Sequence, residues 1–152
     1  MLLVITILGL LVALAVPEFT RYKLNSQRSE MFVNLKGIAQ AEIVFYNEYD
    51  KLVECSSSPG TNSDGSLRDF DPTISGWELL GWRPDGQVRC NYNVDVIDNN
   101  GVEWARPEST CDLDNDNVYA SWWMDVDPEN ASSSSQHMKL RPSPSTEKGN
   151  RY

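Results

Sequence analysis

The chain has 152 residues, with 13 lysines and arginines against 22 acids, a net charge of -9 and a pI near 4.5. A surface this acidic repels nucleic acid unless a local basic patch intervenes, and a single histidine without Cys-x-x-Cys spacing speaks against a zinc site. With the N-terminal third committed to one helix, roughly 100 residues remain for a single compact head.

Residues 1–16, MLLVITILGLLVALAV, form an uncharged run with one hydroxyl, Thr6, and one glycine, Gly9. Pro17 closes the run, and a weakly amphipathic pattern continues to about Tyr49 with one further glycine, Gly37. The pattern predicts one long, kinked helix of roughly 75 Å at about 1.5 Å per residue. Residues 1–22 read as a transmembrane or self-packing segment and 23–50 as its amphipathic continuation. A cleaved secretory signal is a second reading, opposed by the lack of a basic segment before the run and of a small-residue cleavage site after it. A buried core helix is a third. Arg21, Lys23 and Arg28 follow the span, and by themselves would place the head in the cytoplasm. The cysteines and a sequon favour an extracytoplasmic head.

Met31, Phe32, Leu35, Ile38, Ala39, Ile43, Phe45, Tyr46 and Tyr49 recur mostly at three- and four-residue steps, a broad stripe for the head to cover. Arg28, Glu30, Asn34, Lys36, Gln40 and Asn47 lie opposite and are expected to face solvent or neighbours. The head, 51–152, divides into a helix–sheet loop (51–86), an antiparallel sheet (87–140) and a polar Ser/Pro tail (141–152). CSSSPGTNSDGSLRDFD, 55–71, reads as a surface loop with turns at Pro59-Gly60 and Asp64-Gly65. After it, Trp77, Leu79, Leu80 and Trp82 are placed to clamp the loop onto the helix. QVRCNYNVDVI, 87–97, alternates Val88, Cys90, Tyr92, Val94 and Val96 with polar residues and is the clearest strand. A hairpin turn at 98–101 leads to a return strand beginning at 102–105. VYASWWM, 118–124, and 136–140 supply further strands, for three or four in all. Trp122 and Trp123 should point to opposite faces, one core and one exposed or at a subunit contact. The fold class is therefore α+β: a long N-terminal helix carrying a small antiparallel sheet.

ILGLLVALAVPEF, followed by RY and then SEMFVNLKGIAQAEIVFYNEY, resembles the N-terminal helix of type IV pilins, whose apolar stretch carries a glycine and a proline at the spacing of Gly9 and Pro17. Aligned on that pair, Met1 falls on the family's sixth position, so the first five positions, including the acidic fifth, are absent from the sequence. Sixteen apolar residues are also short of the roughly 20 a bilayer span needs. The resemblance implies a structural subunit that polymerises into an extracellular pilus-like filament. It would be held in the inner membrane before assembly and extracted by inner-membrane pilus assembly machinery, leaving a homo-oligomeric fibre at the cell surface. Gly9, Ala13 and Ala15 would permit close helix packing, and the segment between Gly9 and Pro17 should melt locally in the filament. A type II secretion pseudopilin, a minor adhesive or DNA-binding pilin, and an anchored domain that never polymerises are the other readings.

Three cysteines allow three single bridges. Cys90 with Cys111 is the best match to the disulfide that closes the second half of the pilin head, while pairings through Cys55 and free thiols stay open. Asp112, Asp114 and Asp116 alternate like the first ligands of a calcium loop, but Asn117 stands where such a loop has glycine and Trp123 where it has glutamate. Calcium is thus a weak expectation beside ordinary turn-forming residues, and no other cofactor is indicated. Asn130 begins an N-glycosylation sequon, for which an uncharged surface loop is the plainer explanation. No nucleophile or acid–base constellation suggests an enzyme, and His137 has no spaced partner.

Overall fold

A computed structural model describes residues 2–60, 64–99, 101–128 and 139–142. The helix α1, Leu2–Tyr49, runs unbroken through Pro17. Proline has no N–H to offer the carbonyl four residues back, so Ala13 loses its axial partner there while the helix continues. The helix ends at Tyr49: the Asp50 N–H still reaches the Tyr46 carbonyl at 2.7 Å, and the left-handed backbone of Asp50 (φ 54°) then turns the chain away.

Among the described residues the head is a five-stranded antiparallel sheet in simple meander order. Its strands are β1 Cys55–Ser58, β2 Asn91–Asn99, β3 Val102–Cys111, β4 Ala120–Asp125 and β5 Lys139–Pro142. A short helix α2, Trp77–Leu80, interrupts the connection from β1 to β2. The strand expected at 87–97 is corrected to Asn91–Asn99, and the three or four strands expected are five among the described residues. The segment read as the start of a surface loop is an edge strand, with Cys55 opposite Val94 and Ser58 opposite Tyr92. The return strand begins at Val102 as expected and extends through Pro107 to Cys111; of the last strand expected at 136–140, residues 136–138 lie outside the described residues, and the described part is Lys139–Pro142.

Pro107 interrupts only one of the two ladders it touches. Ala105 exchanges both backbone bonds with Val126, at 3.0 and 2.8 Å, and regular β3–β4 pairing resumes at Glu108 opposite Trp123. The N–H missing at 107 would have pointed toward β4, two residues along from that of Ala105. Pairing with β2 is unaffected, Pro107 lying opposite Val94.

One face of the sheet packs on α1. Met31, Leu35, Ile38 and Ala39 of the helix are buried against Val88, Cys90, Tyr92, Val94, Ala105, Met124 and Val126. The connection before β2 is held by Phe70, Trp77, Trp82 and Tyr92, whose successive ring centroids lie 5.1 to 6.0 Å apart. Trp82 approaches the helix where Gly37 leaves room, since a Cβ there would lie 2.8 Å from the indole nitrogen. Leu79, expected in this clamp, is exposed. Gly76 (φ 93°) lets the same loop close on β1, because a Cβ would run into the Glu54 carbonyl.

The opposite sheet face carries Arg106 beside Trp104 and Trp123, ring centroids 5.5 and 5.4 Å away, with its Nε 2.8 Å from Asp125. Trp122 lies on the helix side, edge-on to Phe32 and 4.5 Å beneath the Arg28 guanidinium. The two tryptophans face opposite ways as expected, Trp122 packed against the core and Trp123 on the outer face, where it is half-buried rather than exposed.

Candidate functional site

The feature with the greatest functional content is the part of α1 that its own head does not cover. Leu3, Val4, Ile5, Ile7, Leu8, Leu10, Leu11, Val12, Leu14 and Val16 are each between 51% and 72% exposed. Phe19 and Tyr22 extend the surface at 71% and 76%. Removing ten large apolar side chains from water is worth on the order of 10 kcal/mol or more, so this surface requires lipid or protein around it. By length and composition the helix can cross a membrane.

Gly9 and Ala13, one helical turn apart, lie on one side of this segment, and no side-chain or backbone atom sits within 4 Å of where a Gly9 Cβ would be. Ala15 is six residues from Gly9 and about 120° around the helix, so it offers close approach on a different side from Gly9 and Ala13. Gly9 to Pro17 is helical in the single chain.

In the lower half of the helix, the face expected to meet solvent divides. Lys36, Gln40 and Asn47 are exposed. Arg28, Glu30 and Asn34 instead contact the head: Glu30 Oε1 accepts from the Arg89 N–H at 2.9 Å, and Asn34 Nδ2 donates to the Tyr92 hydroxyl oxygen at 2.9 Å. The sheet is wider than the apolar stripe, and polar groups at the stripe's rim close the seam. Burial pushes the Tyr92 phenol well above its ordinary range, so it stays neutral in this network.

Glu42 was not singled out by the sequence pattern. Its side chain is fully buried, Oε2 accepts from the Val53 N–H at 3.1 Å, and Oε1 has no hydrogen-bond partner among the described residues. It lies on the head side of the helix, outside the membrane-spanning segment at 1–22. Desolvation raises its pKa to about 7, opposed by the Val53 bond. The adjoining Cys55 thiol is also buried and is pushed up to about 12, first by desolvation and then by Glu42 and Glu54. It is therefore an unreactive thiol.

The structure joins Cys90 to Cys111, 21 residues apart in sequence, leaving Cys55 free. The bridge ties the entry of β2 to the end of β3, a hairpin already in register. Ligand oxygens of Asp112, Asp114 and Asp116 lie within 4.8 Å of one another. Asp112 is buried, and its two oxygens accept the N–H groups of Asp116 and Asn117 at 3.2 and 3.0 Å. Asn115 and Asn117 adopt left-handed backbone. This geometry is that of a turn organised by its own aspartate, and the donor set of three carboxylates fits a divalent cation only in part. Asn130 and His137 lie outside the described residues.

No family model matches the chain, and no solved structure matches it. Over 60 residues it is 32% identical to the type IV major pilin protein PilA of Myxococcus xanthus (strain DK1622). The match covers 40% of this chain and 27% of that protein, so the chain spans about a quarter of the length of the curated relative it matches.

Proposed function

We propose that this chain is a structural subunit of a type IV pilus-like filament, held in a membrane by residues 1–22 before assembly and packed through the same residues afterwards. The observation that carries the reading is the first part of the N-terminal helix, whose large apolar side chains from Leu3 to Val16 are all more than half exposed, while the head completes its core against the later part of the helix without them. The likeness to a type IV major pilin supports it. Exchange of lipid for helix–helix contact would drive assembly, with Gly9 and Ala13 admitting a neighbouring backbone. The chain would act with an assembly machinery in the inner membrane and reach the cell surface as polymer. No catalytic role is part of this reading.

Electron microscopy of material sheared from the cell surface, with mass spectrometry of the dominant chain, tests it. Thin filaments built mainly of this chain are the expected result. Retention of the chain in the membrane fraction, with no filament containing it, refutes it. The convergence of Asp112, Asp114 and Asp116 favours one other reading, a secretion pseudopilin that requires calcium. A rise of 10 °C or more in the melting temperature on adding 1 mM calcium would move that reading ahead; a shift within error is expected here.

A further inference from the structure

The strand that follows α1 is thinly paired. β1 meets β2 at Cys55 opposite Val94 and Ser58 opposite Tyr92, with the register shifted between them, whereas β2 and β3 pair without a break from Asn91 opposite Thr110 to Asn99 opposite Val102. Farther along β1, the Ser56 N–H donates to the Ser75 carbonyl at 3.0 Å and Ser58 exchanges bonds with the Asp71 backbone. The residues that lead into β1 are tied back to the helix by the Val53 N–H, which reaches Glu42 Oε2 at 3.1 Å. Short edge segments of this kind open locally at a free-energy cost well below that of global unfolding.

Glu42 fits that place as a neutral group. Its side chain is fully buried, and Oε1 has no hydrogen-bond partner among the described residues. An ionised carboxylate offers about four lone-pair sites and finds the Val53 N–H as its donor here. Of the groups around it that can carry charge, Cys55 on the strand side is buried and stays a thiol, whereas Asp50, Lys51 and Glu54 of the connecting segment and Glu78 of α2 are exposed. From α1 itself, Tyr46 and Tyr49 lie one and two turns on. The Tyr92 phenol of β2 is engaged by Asn34, two turns back along the helix. What acts on the Glu42 carboxyl is desolvation, which raises its pKa to about 7 against the opposing bond from Val53.

We infer that Glu42 is a pH-sensitive latch on the entry to the sheet: protonated, it holds residues 51–55 on the end of α1, and on ionising it releases them, so that this edge opens locally while β2, β3 and β4 stay paired. Opening admits water to the carboxylate and removes the desolvation that disfavours its charge. The sign follows from linkage. A group that binds its proton more tightly in the closed form keeps the latch shut at low pH and frees it as pH rises through about 7. Cys55 lies behind the latch, buried and covered by Gly76, where an added Cβ would stand 2.8 Å from its sulfur. Its thiol is hidden in the closed form and reachable in the open one. The latch needs one chain only, so it is independent of the filament reading.

The test is pulse labelling of Cys55 with methyl methanethiosulfonate in the full chain in nonionic detergent, with the Cys90–Cys111 bridge intact. Dividing each rate by that of the urea-unfolded chain at the same pH cancels the thiolate fraction and gives the open population. For a carboxyl that titrates at 4.5 when open and about 7 when closed, that population should rise roughly 30-fold between pH 5.5 and pH 8. In E42Q it should stay within about twofold, and in E54Q it should rise as in the parent. Labelling should depend only weakly on urea, because a short segment opens. A flat profile in the parent, an equal rise in E42Q, or a urea dependence as steep as that of global unfolding overturns the latch. Amide exchange of the parent, corrected for intrinsic rates, decides the matter without any variant. Protection that falls with pH across 51–56 and holds across 91–98 supports the latch, and equal slopes in the two segments overturn it.

Discussion

Glu42→Gln should make the head more stable at pH 8 and remove most of the pH dependence between pH 5 and pH 8. Glu42 is fully buried with one oxygen unbonded, and its pKa rises from an ordinary value of 4.5 to about 7. The sign follows from linkage: a folded-state pKa above the unfolded one gives stability that is fully present below about pH 4.5 and is lost as pH rises through about 7. At 1.36 kcal/mol per pKa unit the shift corresponds to a ceiling of about 3 kcal/mol. Glutamine keeps an oxygen for the Val53 N–H and carries no charge to desolvate. The groups nearest the carboxyl do not obscure the effect: the Cys55 thiol stays protonated throughout, and Glu54 is exposed. Urea unfolding of the full chain in detergent, followed by tryptophan fluorescence at half-unit pH steps, measures it. The parent should lose roughly 2–3 kcal/mol across the range relative to the variant. Parallel stability curves for the two chains would refute the reasoning.

Gly37→Ala places a Cβ 2.8 Å from the Trp82 indole nitrogen; the ring must shift, costing about 1–2 kcal/mol with an altered near-ultraviolet circular dichroism spectrum. Gly76→Ala is harsher, because the new atom would overlap the Glu54 carbonyl and φ is 93°; loss of cooperative unfolding is expected, against near-parent behaviour for Gly86→Ala, where no neighbour lies within 4 Å and only left-handed strain applies. Reducing the Cys90–Cys111 bridge, or replacing both residues by serine, should cost about 3 kcal/mol by chain entropy for a 21-residue separation, read as a lowered urea midpoint. Asp112→Ala leaves the N–H groups of Asp116 and Asn117 without their acceptor and should cost about 2 kcal/mol in metal-free buffer, whereas Asp114→Ala on the exposed side should stay within about 0.5 kcal/mol. In a filament reconstruction, density between Gly9 and Pro17 should depart from a straight α-helix; unbroken helical density there would remove that expectation.

The apolar run at 1–16, the amphipathic stripe read from Met31 to Tyr49, whose last member is exposed, and the alternation through Tyr92 and Val94 were legible in the sequence, because each is a local periodicity that one segment carries alone. So were the long helix, the antiparallel sheet and the hairpin joining Asn99 to Val102. Tertiary structure decided what depends on a partner. CSSS looks like a loop and becomes a strand only because β2 offers it an edge, and ARPEST stays a strand because Pro107 forfeits just one bond toward β4. Glu30 and Glu42 are indistinguishable from surface acids until the width of the head is known, yet one closes the seam and the other is buried within it. Turning both inward leaves Glu18 and Glu48 as the exposed acids of the helix. A sequence pattern specifies which face of a segment is apolar; how much of the remainder is covered depends on the size and placement of what packs against it.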